Sequence, residues 1–198
     1  MTEVIVSDID QLLGRIAACR ICEGQIPEPR PVLRAEPSAR ILVIGQAPGT
    51  RVHASGIPWD DASGKRLREW MGMTDEEFYD KKHVAIMPMG FCYPGKGKSG
   101  DLPPPAICAP TWHAQVTQQL PRIECTLLIG MYSQQYYLPD AASRLTDTVK
   151  NWRHYAPERF VTPHPSPRNQ LWLRRNPWFE EEVVASLRQR VQEIMAKV

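Results

Sequence analysis

Apolar residues follow two spacings along this chain, and these predict alternating helices and strands. Residues 9–16 place their apolar side chains at helical spacing, which predicts a helix that begins at Ser7 or Asp8 and ends near Cys19. Short continuous apolar runs are typical of strands that are buried on both faces. The run at 41–44 is of this kind, and further strands are predicted at 83–89, 125–130 and 159–162.

Further helices are predicted between and after these strands, at 63–70, 105–120, 132–138 and 177–197, with Asn176 as the cap of the last one. Residues 23–39 are rich in proline and predict a surface connection, and residues 47–62 predict a long loop. Helices that alternate with buried strands favour an α/β fold. We therefore expect a three-layer αβα sandwich around a central, mostly parallel four-stranded sheet, with residues 1–198 as one domain.

Composition places the chain among globular proteins and restricts its partners only weakly. It has 198 residues, of which 42% are hydrophobic and 23% charged, and a formal net charge of +2. That charge is too small to indicate nucleic-acid binding by itself, although it permits a local basic groove. Apolar runs stay well short of the roughly 20 residues of a membrane span, and residues 1–8 do not resemble a signal peptide. The sequence predicts a cytoplasmic protein that does not enter membranes.

Four cysteines form a pattern that is typical of a metal centre. Cys19 and Cys22 have two residues between them, and Cys92 and Cys108 follow much later, beyond the first predicted strand. Disulfides are the weaker explanation in a reducing compartment. Four thiols from separate segments suit either zinc or an iron–sulfur cluster, which would tie the segment at about 7–22 to the domain. Cys125 lies within an apolar run and is predicted to be a core residue.

Three segments follow the carboxyl ends of predicted strands, where α/β sheets place their sites. Gly45–Gly49 predicts either a plain strand exit or a turn that lets a ligand approach the backbone. Trp59 is either a core residue or a ring that stacks on a ligand. Asp61 is either a helix cap or a catalytic carboxylate. His164 lies in a loop bracketed by prolines, and it is either structural or functional.

Basic residues accompany these segments and suit either a solvated surface or contacts with DNA phosphates. An apolar side chain between them, Leu171 or Trp172, would then fill the gap left by a displaced base. The candidate phosphate contacts are Lys96, Lys98, Arg168, Arg174 and Arg175.

Taken together, these motifs resemble the uracil-DNA glycosylase superfamily over nearly the whole chain. Gly45–Gly49 is similar to its first motif and His164–Pro167 to its second. The four cysteines match the order and approximate spacing of the [4Fe–4S] ligands in its iron–sulfur branches, families four and five. Asp61–Gly64 resembles an element of family five, and Trp59 falls where those branches place an aromatic residue that stacks on the extruded base.

The chain departs from those families at three positions. Ala47 stands where the best-known branch has an aspartate, and Gln46 stands where family four has a glutamate. Pro88 replaces an asparagine that reads the edge of uracil, and the neighbouring methionines do not replace its hydrogen bonds. The superfamily is therefore better supported than specificity for uracil.

The resemblance implies an enzyme that hydrolyses the N-glycosidic bond of uracil or another deaminated base flipped out of single- or double-stranded DNA. It implies a monomer with a [4Fe–4S] cluster, zinc being the alternative. The implied catalytic residues are Asp61 (less favourably Asp60), His164 and Gln46. The implied base-binding residues are Ala47, Pro48, Gly49, Trp59 and Met89. The implied DNA contacts are Lys96, Lys98, Ser166, Arg168, Leu171, Arg174 and Arg175, and the implied cluster ligands are Cys19, Cys22, Cys92 and Cys108.

Two other classes compete with the enzyme. One is a catalytically silent relative that binds DNA or lesions without cleaving, which Ala47 and Pro88 favour. The other is an iron–sulfur electron carrier, which would have no need of a crevice loop containing His164 and the Arg174–Arg175 pair.

Overall fold

The computed structural model describes residues 8–197. Its strands are Ile41–Ile44 (β1), Val84–Ile86 (β2), Cys125–Ile129 (β3) and Arg159–Thr162 (β4). Its α-helices are Asp8–Ala17 (α1), Thr50–Ser55 (α2), Ala62–Met71 (α3), Asp75–Tyr79 (α4), Cys108–Gln118 (α5), Met131–Tyr137 (α6), Leu145–Lys150 (α7), Gln170–Arg175 (α8) and Ala185–Met195 (α9). Short 3₁₀ segments lie at Trp152–His154 and Pro167–Asn169, and a π-helical segment at Phe179–Val184 precedes α9.

The four strands form one sheet in the order β2-β1-β3-β4, and every pairing is parallel. Ile41 lies opposite Val84 on one side and Cys125 on the other, while Thr126 lies opposite Arg159. All residues of β1 and β2 are buried, since helices cover both faces of a parallel sheet. The predicted α/β class with its four-stranded parallel sheet is confirmed.

Helical crossovers connect the parallel strands, as this strand direction requires. Helices α2 to α4 lead from β1 to β2, α5 leads from β2 to β3, and α6 and α7 lead from β3 to β4. Helix α3 packs against α9, and α1 packs against α5. The apolar core lies between these helices and the sheet.

Helix α1 is held to the domain by its own apolar face. Ile9, Leu12 and Ile16 are buried, and the Arg15 guanidinium donates a hydrogen bond of 3.2 Å to the Gln115 side chain on α5. Ser7, one of the two predicted starting residues, lies outside the described residues. A cluster would add to this attachment, which the chain already makes through apolar side chains and a hydrogen bond.

Several boundaries differ from the predictions for local reasons. The predicted loop at 47–62 contains α2, and the predicted helix at 105–120 begins only at Cys108, because the prolines at 103–105 lack the N–H groups of a helix interior. Helices α4, α7 and α8 were not predicted, since helices of five or six residues show less than two turns of periodicity. Strand β2 ends before Pro88, yet the N–H groups of Met87 and Met89 still donate to Val43 and Gly45.

None of the helices within residues 8–197 is long and apolar enough to cross a membrane.

Candidate active site

A cavity of about 470 Å³ opens at the carboxyl edge of the sheet. Loops that follow β1, β2 and β4 line it, together with the start of α3. Nine residues that the sequence singled out meet there: Gln46, Ala47, Pro48, Gly49, Trp59, Asp61, His164, Ser166 and Arg168. Val32, Ile86 and Pro88 supply an apolar part of the wall.

The turn after β1 is shaped to receive the Trp59 ring. A Cβ atom at Gly45 would lie 2.7 Å from the Cζ2 atom of Trp59, so only glycine permits this contact. Backbone hydrogen bonds of 2.9 Å from Met89 to Gly45 and from Gly90 to Gln46 hold the turn against the segment that follows β2. The aromatic ring therefore rests on a fixed backbone surface.

Trp59 itself is held in an unusual backbone conformation. Its φ angle of 60° lies in the left-handed region, which costs a residue with a Cβ atom about 1 kcal/mol or more. Its carbonyl packs so closely on α3 that a Cβ atom at Gly64 would lie 1.7 Å from the carbonyl oxygen, and the Arg68 guanidinium donates to that oxygen at 3.3 Å. These contacts direct the indole toward His164, with ring centroids 5.6 Å apart.

Asp61 is the cap of α3, as one of its two interpretations predicted, and it also lies at the cavity. Its Oδ1 atom accepts a hydrogen bond of 2.8 Å from the Gly64 N–H and so caps α3, while the residue also lines the cavity. Asp60 does not line the cavity and lies 3.6 Å from the Arg51 guanidinium in an ion pair. Asp61 is therefore the better placed of the two carboxylates, and the alternative role of Asp60 stays a prediction.

Hydrogen bonds determine the orientation and the tautomer of His164. The Ser166 N–H donates to Nδ1 at 3.2 Å, and the Asn169 side chain donates to the His164 carbonyl at 2.7 Å. Since Nδ1 accepts a hydrogen bond, the neutral ring carries its proton on Nε2. Burial lowers the pKa of His164 below its ordinary value, although the charges of Asp61 and Asp101 oppose that shift. The ring is thus a neutral hydrogen-bond donor near pH 7.

The loop that holds His164 is fastened to α3. The Arg66 guanidinium donates to the Ser166 carbonyl at 3.3 Å and to the Gln170 side chain at 3.0 Å. The helix that Asp61 caps therefore positions both Trp59 and the His164 loop. Sequence reasoning missed Arg66, because a cation on an amphipathic helix has the same pattern as an ordinary solvated residue.

The site residues predicted from the sequence also left out Ser99, Asp101 and Asn169, which line the cavity. Ser63, which belongs to the Asp61–Gly64 element, lines it too. Asp101 lies on the loop that was singled out for its lysines, and a single aspartate beside glycine has the pattern of a common turn. No sequence feature distinguishes it from a turn residue.

Several predicted site residues lie outside the cavity wall. Met89 is only 6% exposed, belongs to the hydrophobic core and does not line the cavity, so its contact with the base stays a prediction that this packing does not support. Trp172 is packed inward, with its indole N–H donating to Thr146 at 2.8 Å, whereas Leu171 is 56% exposed. The remaining predicted DNA contacts outside the wall are Lys96, Lys98, Arg174 and Arg175.

The four predicted ligand cysteines line a second cavity, which is apolar and only about 20 Å³ in volume. The Phe91 N–H donates to the Cys108 sulfur at 3.3 Å, and the Arg30 N–H donates to the Cys92 sulfur. Burial raises the pKa of Cys92 to about 11 and that of Cys108 to about 12. Cys125 lies apart from this cavity, fully buried in β3.

Sharing a cavity does not by itself make these cysteines a metal site. Within residues 8–197, no three or more His, Cys, Asp or Glu side chains are grouped closely enough to hold a metal ion. The donor set suits a [4Fe–4S] cluster or zinc in its chemistry, because it consists of four thiols and includes N–H groups directed at sulfur. The thiols would have to draw together around the group that they bind.

The cavity lies at the carboxyl edge of a parallel α/β sheet, where such sheets bind their ligands, and it presents a neutral histidine beside an aromatic ring. The family model of the uracil DNA glycosylase superfamily matches residues 34–188, and the chain belongs to that superfamily. Members of this superfamily act on DNA, so membership indicates a glycosylase-type function. The matched region begins after Cys22 and therefore does not include the first two cysteines.

Proposed function

We propose that this protein is a DNA glycosylase that hydrolyses the N-glycosidic bond of uracil or another deaminated base flipped out of DNA. The observation that carries the proposal is His164, whose Nδ1 atom is engaged by Ser166 and whose protonated Nε2 atom is left for a ligand in the cavity. The family match supports the same reaction class.

Base excision begins when the target nucleotide leaves the stack, at a cost of a few kcal/mol. Trp59 stacks on the extruded base, because its ring lies in the cavity beside His164. As the C1′–N bond breaks, its electron pair moves onto the base. His164 donates a hydrogen bond to the base oxygen that gains this charge, and a positioned donor of this kind is worth about 3 kcal/mol.

The sugar becomes positively charged as the base departs, and a nearby carboxylate stabilises it. Asp61 supplies one such charge from the N-terminal end of α3. Backbone N–H groups of the Gly45–Gly49 turn contact the base or a phosphate. Gln46 lines the cavity, and its side chain offers both a donor and an acceptor to the edge of the base, whereas the Pro88 side chain offers neither.

The DNA strand runs across the two loops that border the cavity. Arg168 joins them, since its guanidinium donates to the Ser99 carbonyl at 3.4 Å. Leu171 fills the space of the flipped base, because its side chain is exposed at the start of α8. The phosphate contacts in this proposal are Lys96, Lys98, Ser166, Arg168, Arg174 and Arg175.

A structural [4Fe–4S] cluster held by Cys19, Cys22, Cys92 and Cys108 completes the proposal, with zinc as the alternative. Their common cavity and the N–H groups directed at two of the sulfurs support it. When bound, the cluster braces the N-terminal segment against the start of α5. No catalytic step depends on it.

A panel of deaminated bases in single- and double-stranded oligonucleotides tests the function. Purified protein in single-turnover excess should release at least one base and leave an abasic site. A protein that binds the oligonucleotides but releases no base is the silent relative that Ala47 and Pro88 favour. A protein that does neither, yet contains a redox-active cluster, is the electron carrier.

A further inference from the structure

A second carboxylate, that of Asp101, lines the cavity and faces the Gly45–Gly49 turn. Asp101 lines the cavity from the loop between β2 and α5, and its Oδ2 atom would lie 3.6 Å from a Cβ atom built on Gly49. Its carboxylate is therefore in contact range of the turn that receives the base. Within residues 8–197, no hydrogen bond or ion pair engages that carboxylate.

The backbone that presents Asp101 is a tight hairpin. Lys96 and Asp101 pair as an antiparallel bridge, and the Gly97 N–H donates to the Gly100 carbonyl at 2.6 Å. Arg168 fastens the tip of this hairpin to the His164 loop through the Ser99 carbonyl. The hairpin thus holds a carboxylate at the cavity wall, next to the Gly45–Gly49 turn.

The two carboxylates of the cavity differ in their freedom to react. Asp61 uses Oδ1 to cap α3, so moving its carboxylate would uncap the helix that holds Trp59. The Asp101 carboxylate caps no helix within residues 8–197. Both carry charge that acts on His164, which places Asp101 within electrostatic range of the hydrogen-bond donor.

We propose that Asp101 is a catalytic carboxylate that holds the attacking water and accepts its proton. This inference rests on the proposed glycosylase function. The C1′–N bond breaks with its electron pair on the base, and the water oxygen bonds to C1′. The water proton passes to Asp101 and from there to solvent, while Asp61 stabilises the sugar cation. With these roles for Asp101 and Asp61, the reaction needs no carboxylate at position 47, which is an alanine in this chain.

The test uses the full-length protein and the oligonucleotide whose base the wild type releases. Asp101→Asn should lower the single-turnover rate by about 10²-fold, a typical effect of a general base, and should leave DNA affinity unchanged. Glu180→Gln removes the same charge from an exposed residue outside the cavity and should cleave like the wild type. Sodium formate should restore part of the rate to Asp101→Ala, because it supplies a carboxylate to the vacated space.

Each outcome decides the matter. If Asp101→Asn cleaves as fast as Glu180→Gln, Asp101 is not the base, and the glycosylase proposal stands. If the rate falls, DNA affinity falls with it and formate restores nothing, Asp101 only shapes the hairpin and the inference is overturned. If the wild type releases no base from any oligonucleotide, the proposed function fails and the role of Asp101 fails with it.

Discussion

The two cavities of this protein differ in how far the polypeptide alone completes them. In the cavity at the carboxyl edge, hydrogen bonds hold His164, Trp59 and Asp61 in place, and its volume of about 470 Å³ suits a ligand. The cysteine cavity is about 20 Å³ and apolar, and its thiols do not form a metal-binding group within the described chain. The side chains of the first cavity are held in place by the polypeptide, whereas the thiols of the second would have to move closer together to bind the proposed cluster.

One buried side chain links the two cavities. His113 is 1% exposed, and its Nε2 atom lies 3.1 Å from the Pro88 carbonyl of the first cavity. Its ring stacks on Phe91 of the second cavity, and its Nδ1 atom lies 2.6 Å from the Tyr137 hydroxyl. Burial lowers the pKa of His113 to about 4, so the ring is neutral and hydrogen-bonded on both sides near pH 7.

Metal content should distinguish the two cavities most strongly. Anaerobically purified protein should be brown, with broad absorbance near ~400 nm and bound iron, if a [4Fe–4S] cluster fills the cysteine cavity. Cys108→Ser should lose that absorbance and the iron, because a cluster of this type needs four thiolates. Cys125→Ser is the matched control, since Cys125 lies outside the cavity, and it should keep both. A colourless wild type with stoichiometric zinc would contradict the iron assignment, and a wild type without metal would contradict any metal at this cavity.

The carboxyl-edge cavity should instead respond to a single ring. His164→Ala should slow single-turnover base release by about 10²-fold or more, equivalent to the loss of a donor worth about 3 kcal/mol. DNA affinity should change little, since the hydrogen bond strengthens as charge develops on the base. His154→Ala, at a surface position paired with Asp140, should cleave like the wild type. Equal rates for the two variants would remove His164 from the mechanism.

His113, which contacts residues of both cavities, should make the stability of the protein depend on pH. Its folded-state pKa lies below its unfolded value of about 6.5, so the unfolded chain binds more protons between pH 6.5 and about 4. The contribution of His113 to the free energy of unfolding is therefore fully present above pH 6.5. It is lost as the pH falls toward 4, which lowers the free energy of unfolding by up to about 3 kcal/mol.

Denaturant unfolding at pH 7 and at pH 4.5 measures this loss. His113→Gln should be less stable than the wild type at pH 7 and should lose less stability on acidification, because glutamine does not titrate. His154→Gln controls for an exposed histidine. A His113→Gln variant with the same acid sensitivity as the wild type would show that His113 titrates normally.

The smallest expected effect concerns the rim of the carboxyl-edge cavity. Replacing both Arg174 and Arg175 with alanine should reduce the slope of log K against log salt by about two units, since each lost phosphate contact removes about one. Binding to damaged and undamaged DNA should weaken alike. The matched control replaces Lys82 and Arg122, which line an open groove at the amino ends of the strands. If the control changes the slope and the arginine pair does not, DNA binds at the opposite edge.

Local sequence determined much of the fold and the membership of the site. The buried apolar run at 41–44 became a strand with those bounds, because continuous apolar residues require cover on both faces, and the strand predicted at 159–162 also has its predicted bounds. Motifs at the ends of strands converged, since parallel strands bring their carboxyl ends to one edge. The cysteine spacing likewise predicted four residues that share one cavity.

Long-range contacts in the tertiary structure determine which of these residues face the cavity and which partners their side chains contact. Asp60 and Asp61 are neighbours in sequence, yet only Asp61 lines the cavity, while Asp60 pairs with Arg51. Met89 had the type and position of a base contact but packs in the core, and Asp101 had the pattern of a turn but lies over the site. Side-chain direction depends on backbone angles and on partners distant in the chain, such as Arg168 and Ser99. Spacing along the sequence contains the periodicity of local structure, and it does not contain those long-range contacts.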